Sequence, residues 1–188
     1  MTNSIVLVPM NEMYDLRWFS NMMSRALQRT QSTVVLNSQN ISRGNSHVAQ
    51  ATSGSILERS LLHSLARYTE KYETHIYIAD KECSNWSERC LSSNMEVFLV
   101  GQAGTEAPLT PVAKQLMYHQ SQVSATLILE YPTKSILNKK KVSHTLKPKN
   151  VNNIHAFAKN NLADFENLVH QMMKQKQQVN YETRKSVA

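Results

Sequence analysis

The chain holds only four glycines in 188 residues, Gly44, Gly54, Gly101 and Gly104, and that scarcity excludes much chemistry. A phosphate loop of the form G-x-x-x-x-G-K-[ST] needs glycines so that backbone N–H groups can close around phosphate, and a lysine to reach its outer oxygens. The first strand-to-helix loop, VPMNEMYD from Val8 to Asp15, has neither glycine nor lysine. No glycines show the spacing of G-x-G-x-x-G, and none stand four apart as a G-x-S-x-G nucleophile elbow requires. Conventional nucleotide binding and an elbow-type serine nucleophile are therefore not expected. Ser53, Gly54 and Ser55 have no general base nearby in sequence and read as a loop entering a helix.

Cysteine is rarer still. Cys83 and Cys90, with six residues between them, match neither a disulfide framework nor the C-x-x-C spacing of redox and zinc sites. The seven histidines are scattered, with no His pair at i+3 or i+4, so no metal and no cofactor is expected. His63, among leucines, and His75, at the start of a strand, read as packed or surface residues rather than bases. No apolar run approaches the ~20 residues needed to span a bilayer. The opening MTNSIVLVPMNEMYDL lacks the basic region and cleavage site of a signal peptide, which makes the cytoplasm the expected compartment.

What is present suits one packed domain, since 41% of the residues are hydrophobic. Five apolar runs read as strands: SIVLVPM, STVVLNSQ, THIYIAD, MEVFLVGQ and SATLILEYP. Between the first two, Met13, Leu16, Phe19, Met23 and Leu27 recur at helical spacing, and Ile56, Leu57, Leu61, Leu65 and Tyr68 do so before the third. SNWSERCLSS reads as a short helix capped by Ser84, and TPVAKQLMYHQ opens on a Thr110–Pro111 cap. A last amphipathic helix is expected over NIHAFAKNNLADFENLVHQMMKQ, Asn153 to Gln175. Continuous apolar strands are buried on both faces. The expected fold class is therefore α/β: a single doubly wound, mostly parallel sheet of about five strands with helices on both faces. The domain should span 1–175, followed by a polar tail over 176–188. Asn40 to Ser53 and the residues beyond Gln175 are the segments expected to be flexible.

The net charge of +7 is uneven: residues 1–130 carry 10 Lys/Arg against 11 Asp/Glu, and residues 131–188 carry 11 against 3. Lys139, Lys140, Lys141, Lys147 and Lys149 fall within eleven acid-free residues and are candidates for peripheral contact with an anionic membrane. They lack interleaved aromatics, so nucleic acid is not an expected partner. Doubly wound sheets bind ligands at the carboxyl ends of their strands. Asp80 ends strand three, where such folds often place an acid for Mg²⁺, but one Asp without a phosphate loop cannot hold both metal and nucleotide. Asp80 reads instead as a residue that caps or orients the loop before Trp86.

The run LERSLLHSLARYTEKYETHIYIADKECSNWSERCLSSNMEVFLVG, Leu57 to Gly101, resembles a segment of the neuropathy target esterase family of patatin-like lysophospholipases. In that family an E-x-R-L-S-x-W-L helix precedes a strand ending in Asp, a T-P-W-T-x-R-C helix and a strand reading I-L-I-V-G. Here the counterparts are Glu58, Arg59, Leu61 and Leu62, then Asp80, then Trp86, Arg89 and Cys90, then Leu99, Val100 and Gly101. The similarity extends over about residues 4–172 and implies a P-loop-like domain without a working phosphate loop. In the family it lies upstream of a patatin domain that holds the G-x-S-x-G serine and a D-G aspartate, neither of which this chain has. The resemblance thus implies no catalytic residue here. Glu58, Arg59, Asp80, Trp86, Arg89 and Cys90 become structural positions: Trp86 packing its helix on the sheet, Arg89 pairing with an acid such as Asp80, and Cys90 a small buried residue.

The expected function is a non-catalytic scaffold or regulatory domain that supports a patatin-like catalytic domain or chain. Two alternatives stay open. One is part of a lysophospholipase system whose catalysis lies in a separate chain; the other is a binder of anionic membrane through the basic C-terminal third.

Overall fold

In the strand β1 (Asn3–Pro9), Ile5, Val6, Leu7 and Val8 are all fully buried. Val6 and Val8 join one hydrophobic cluster while Ile5 and Leu7 join another, because successive strand side chains point to opposite faces. The same split recurs in β4 (Glu96–Gln102), where Val97 and Leu99 face one way and Phe98 and Val100 the other. With β2 (Thr33–Asn37), β3 (Thr74–Ile78), β5 (Ala125–Tyr131) and β6 (Val151–Ala158), these strands form a six-stranded sheet. Its order is β2-β3-β1-β4-β5-β6 and every pairing is parallel. The coordinates are a computed structural model and describe residues 3–42, 45, 47–92, 95–118, 123–133 and 150–173.

Handedness distributes the helices. Parallel crossovers are right-handed, so a connection leading one way along the sheet lies on the opposite face from those leading the other way. The step from β1 to β2 runs outward through α1 (Leu16–Gln28), whose Leu16, Phe19, Met23 and Leu27 pack with Ile5 and Leu7. The later steps reverse direction through α3 (Ile56–Lys71), α4 (Asn85–Ser92) and α5 (Pro111–Tyr118). Their buried Leu61, Trp86, Cys90 and Val112 pack with Val6 and Val8 on the other face. A single turn of helix, α2 (Ser38–Ile41), follows β2.

That arrangement gives the α1 face only one crossover helix beside β1, and α6 (residues 162–173) fills the remainder. Phe165, Leu168, Val169 and Met172 of α6 are buried there. Phe165 meets Phe157 of β6 edge-on at 5.4 Å and Phe19 of α1 at 5.3 Å, a geometry favoured by the aromatic quadrupoles.

Four expectations need correction. The sheet has a sixth strand: Val151–Ala158 pairs with β5 in parallel, so the helix expected from Asn153 begins only at 162. Ile154, Phe157, Phe165, Leu168 and Val169 fit a helical period across both elements. The break is the turn at Asn160–Asn161, where Asn161 Oδ1 accepts the Asp164 N–H at 3.3 Å. Second, α1 starts at Leu16 with Asp15 as N-cap, which leaves Met13 outside the helix and exposed. Third, Ile56 and Leu57 of α3 are exposed, so its inward face consists of Leu61, Leu65 and Tyr68. Fourth, within the stretch expected to be flexible, Ile41, Val48, Ala49 and Ala51 are buried in the core. There the Ser42 hydroxyl donates to Ser38 O at 2.7 Å and accepts the Ala49 N–H at 3.3 Å, pinning the segment. The tail over 176–188 lies outside the described residues.

Trp86 is 1% exposed, and its indole N–H donates to Ile78 O at 2.8 Å, hooking α4 onto the end of β3. Trp86→Ala is predicted to cost about 3–5 kcal/mol in urea unfolding. Trp86→Phe, which keeps most of the ring but strands that carbonyl, should cost about 1–3 kcal/mol. Equal losses for the two would show that the indole bond contributes nothing.

Candidate functional site

In an open parallel sheet the loops at the carboxyl ends of the strands are where a ligand would sit. The loop after β1 is the position of the phosphate cradle in nucleotide-binding relatives of this architecture, and here its backbone groups are used inside the protein. The Met10 N–H donates to Val100 O at 2.8 Å, the Glu12 N–H to Pro108 O at 2.9 Å and the Tyr14 N–H to Asn11 O at 3.0 Å. In return Met10 O accepts the Thr110 N–H at 3.0 Å, and Asn11 forms an antiparallel bridge with Leu109. Thr110 clamps the junction: its hydroxyl donates to Pro9 O at 2.6 Å and accepts the Ala113 N–H at 3.1 Å as the cap of α5. The Lys81 ammonium donates to Glu12 O from the β3 side.

Gly101 makes this closure possible. A Cβ placed there would come within 2.6 Å of Asn11 Oδ1 and 2.7 Å of Met10 Cβ, so any side chain would force the loop after β1 away from β4. The N-terminus of α1, which would otherwise attract an anion, is capped by the protein's own carboxylate. Asp15 Oδ1 accepts the Arg17 N–H at 2.9 Å, and Oδ2 pairs with the Arg17 guanidinium. The side-chain bond to Arg17, followed by the backbone bond, holds the Asp15 carboxyl below its ordinary range.

A buried polar chain closes the other side. Tyr14 OH donates to Glu130 Oε2 at 2.8 Å, and Glu130 Oε1 lies 3.2 Å from Lys159 Nζ. Lys159 in turn sits 5.2 Å over the Trp18 ring. Burial, and next the Glu130 charge, push the Tyr14 hydroxyl far up, so it remains a proton donor at any ordinary pH. Sequence reasoning missed this group. The available signal was Glu130 itself, a lone acid near the end of the apolar run ATLILEY, which must find a partner when buried.

Asp80 follows the end of β3, and its carboxylate meets three segments. Its Oδ1 accepts the Ser38 hydroxyl at 2.5 Å; its Oδ2 accepts the Ser84 hydroxyl at 2.6 Å and the Gln50 amide at 3.2 Å. One carboxylate thereby gathers α2, the 42–55 segment and the cap of α4. Ser84 is that cap, its Oγ accepting the Ser87 N–H at 3.2 Å. Arg89 pairs with an acid, and that acid is Glu58, with Nη2 2.8 Å from Oε1. Helix geometry explains the choice: Glu58 lies in the first turn of α3, where its other oxygen also receives the Gly54 N–H at 2.5 Å. Gly54 has φ of 81°, a conformation that side chains resist.

Cys90 is buried beside this group, and its thiol is pushed up to about 12, chiefly by burial and then by the Asp80 charge. It packs in the cluster that also holds Leu61 and Trp86. Cys83 is exposed, and Arg59 is exposed on α3, apart from the Glu58–Arg89 pair. Lys139, Lys140, Lys141, Lys147 and Lys149 lie outside the described residues. Among the described residues, no group of three His, Cys, Asp or Glu side chains could hold a metal ion.

Two predictions follow from these contacts. Asp80→Ala removes three acceptor interactions and should cost about 2–3 kcal/mol. Asp80→Asn, beside hydroxyls that can rotate to accept, should cost about 1 kcal/mol; equal costs in urea unfolding would contradict the hub. The second concerns pH. The Gly54 N–H, then Arg89, holds the Glu58 carboxyl below its ordinary value of 4.5. A depressed carboxyl contributes fully above its unfolded pKa and loses that contribution as pH falls through the folded one. The wild type should thus exceed Glu58→Gln in stability at neutral pH, and the two urea midpoints should converge on acidification below about pH 4.5. A constant gap would exclude the linkage.

No curated protein and no solved structure gives a significant match to the chain. One family does: the sequence model described as Neuropathy Target Esterase family P-loop like domain matches residues 2–187. With the loop after β1 closed on itself in a sheet of order 2-3-1-4-5-6, the chain belongs to the neuropathy target esterase family as its P-loop-like domain.

Proposed function

We propose that this domain is non-catalytic and acts as a scaffold or regulatory module for a patatin-type phospholipase unit. The observation that carries the reading is the loop after β1. The N–H groups of Met10, Glu12 and Tyr14, which a phosphate cradle would turn toward its ligand, are bonded to Val100, Pro108 and Asn11 carbonyls. Opening that loop for phosphate would break those bonds, the Thr110 clamp and the Tyr14–Glu130 bond together. Each buried polar group left without a partner costs about 1–3 kcal/mol, and several lost together exceed the roughly 4 kcal/mol that a ligand held at millimolar Kd returns. Transition-state stabilisation in acyl or phosphoryl transfer likewise needs preorganised donors aimed at the reacting oxygen, and these donors are already committed. Among the described residues no helix is long and apolar enough to cross a membrane.

The test has two arms. The purified chain should show no heat of binding with millimolar ATP and Mg²⁺, and no hydrolysis of lysophosphatidylcholine or phenyl valerate. Mixed with the patatin domain of a family member, it should form a complex by sedimentation velocity and alter that domain's thermal stability or turnover. Activity of the isolated chain that a single Ser→Ala change abolishes would overturn the reading, and so would failure to associate with any such domain.

A further inference from the structure

A second concave site lies away from the closed loop, between α3 and the side chains of Ile41, Ser42, Asn45 and Val48. It is a groove of about 360 Å³. One wall is the α3 face bearing Ser60, Ser64, Arg67, Tyr68 and Lys71, with Tyr72 just beyond. Ile41, Val48 and Asn45 form the other. Among the described residues no acid lines it. The sequence explains why: from Leu16 to Leu57 there is no Asp or Glu at all, so the wall facing α3 comes from an acid-free stretch. On α3, Arg59, His63, Arg67 and Lys71 follow one another at i+4 along an exposed row, and Glu70 lies off it.

Lys71 stands in the last turn of α3, where the helix dipole favours a cation. Arg67, a full turn earlier, has no such reason to be there. Among the described residues neither has a carboxylate within ion-pair distance. Lys71 is held 5.4 Å over the Tyr72 ring, and Tyr72 stacks on Tyr68 at 6.4 Å. The groove therefore offers a planar guanidinium, a positioned ammonium and two helix hydroxyls beside an aromatic and aliphatic wall. Arginine with lysine suits an oxyanion of high charge density, a phosphate above all. The apolar wall suits an attached body rather than the bare ion, as in small-ligand pockets of this size.

We propose that this groove binds a phosphomonoester carried on an apolar or aromatic body, with Arg67 and Lys71 holding the phosphate. The inference does not depend on the non-catalytic reading, since the groove shares no residue with the loop after β1, and either can fail alone.

The probes are phenyl phosphate, inorganic phosphate, and vesicles of phosphatidylcholine with or without phosphatidic acid, added to the full chain. Phenyl phosphate should shift the amide resonances of Ser60, Ser64, Arg67 and Lys71 with a Kd on the order of 1 mM. Inorganic phosphate should bind more weakly. The double variant R67Q/K71Q should lose about ten-fold or more in affinity, while Arg59→Gln, outside the groove, should change it less than about two-fold. Both groove changes replace surface side chains, and circular dichroism would establish that the variant is folded. If the source is a lipid headgroup, vesicles with phosphatidic acid will sediment the wild type more than R67Q/K71Q, and phenyl phosphate will compete. That comparison holds the basic C-terminal lysines constant. Binding of phenyl phosphate and vesicles alike by R67Q/K71Q, or binding of neither by the wild type, would overturn the site.

Discussion

A parallel sheet cannot leave a face open, because each of its strands enters and leaves through connections that cross a face. Here that constraint falls hardest on β1, which lies third in a sheet of six with neighbours on both sides and fully buried residues pointing both ways. Three crossover helices cover one face. The other receives α1, and it would expose Phe98, Val100, Ile128 and Phe157 if α6 did not return to cover it. The aromatic contacts of Phe165 with Phe157 and Phe19 are the local expression of that need. Much of this face of the core thus depends on α6, a helix that follows β6.

The same constraint brings the segments that follow β1, β2, β3, β4 and β6 together at the carboxyl end of the sheet, with their polar backbone groups to satisfy. Nucleotide-binding members of this architecture leave part of that demand to phosphate, with glycines allowing the backbone to curl around it. With few glycines, this chain satisfies it internally through side chains. Thr110 bonds to Pro9 O and to the Ala113 N–H, Asp15 caps α1, and Asp80 gathers three loops through two hydroxyls and an amide. At two of its glycines geometry leaves no choice. At Gly101 the first loop presses against the strand, and at Gly54 the backbone takes a left-handed turn so that its N–H can meet Glu58.

Much of this was legible in the sequence. Strands buried on both faces announce themselves as unbroken apolar runs, and all five such runs are strands. Ser84 and Thr110–Pro111 were readable as caps because a cap is a local event, decided by one side chain and an N–H a few residues on. What was not legible is long-range. β6 lies at the edge of the sheet, and its middle residues are exposed. It therefore lacks an apolar run, and its few apolar residues fall in phase with those of α6. The choice of Glu58 over Asp80 for Arg89, and of Tyr14 and Lys159 for Glu130, joins residues 31, 116 and 29 positions apart. No periodicity encodes such pairs; only the assembled sheet brings them within reach.

The family's signature residues can accordingly be given physical meanings one by one. Glu58 and Arg89 tie the first turn of α3 to α4 across the face of the sheet. Trp86 fastens α4 to the end of β3 through Ile78 O, and Cys90 lets that helix lie close because a larger side chain at a 2%-exposed position would not fit. Asp80 then holds the cap of the same helix. All four contacts act on α4, an eight-residue helix too short to be stable on its own. The residues that carry the family resemblance in this helix thus hold one short element against the sheet and against the first turn of α3.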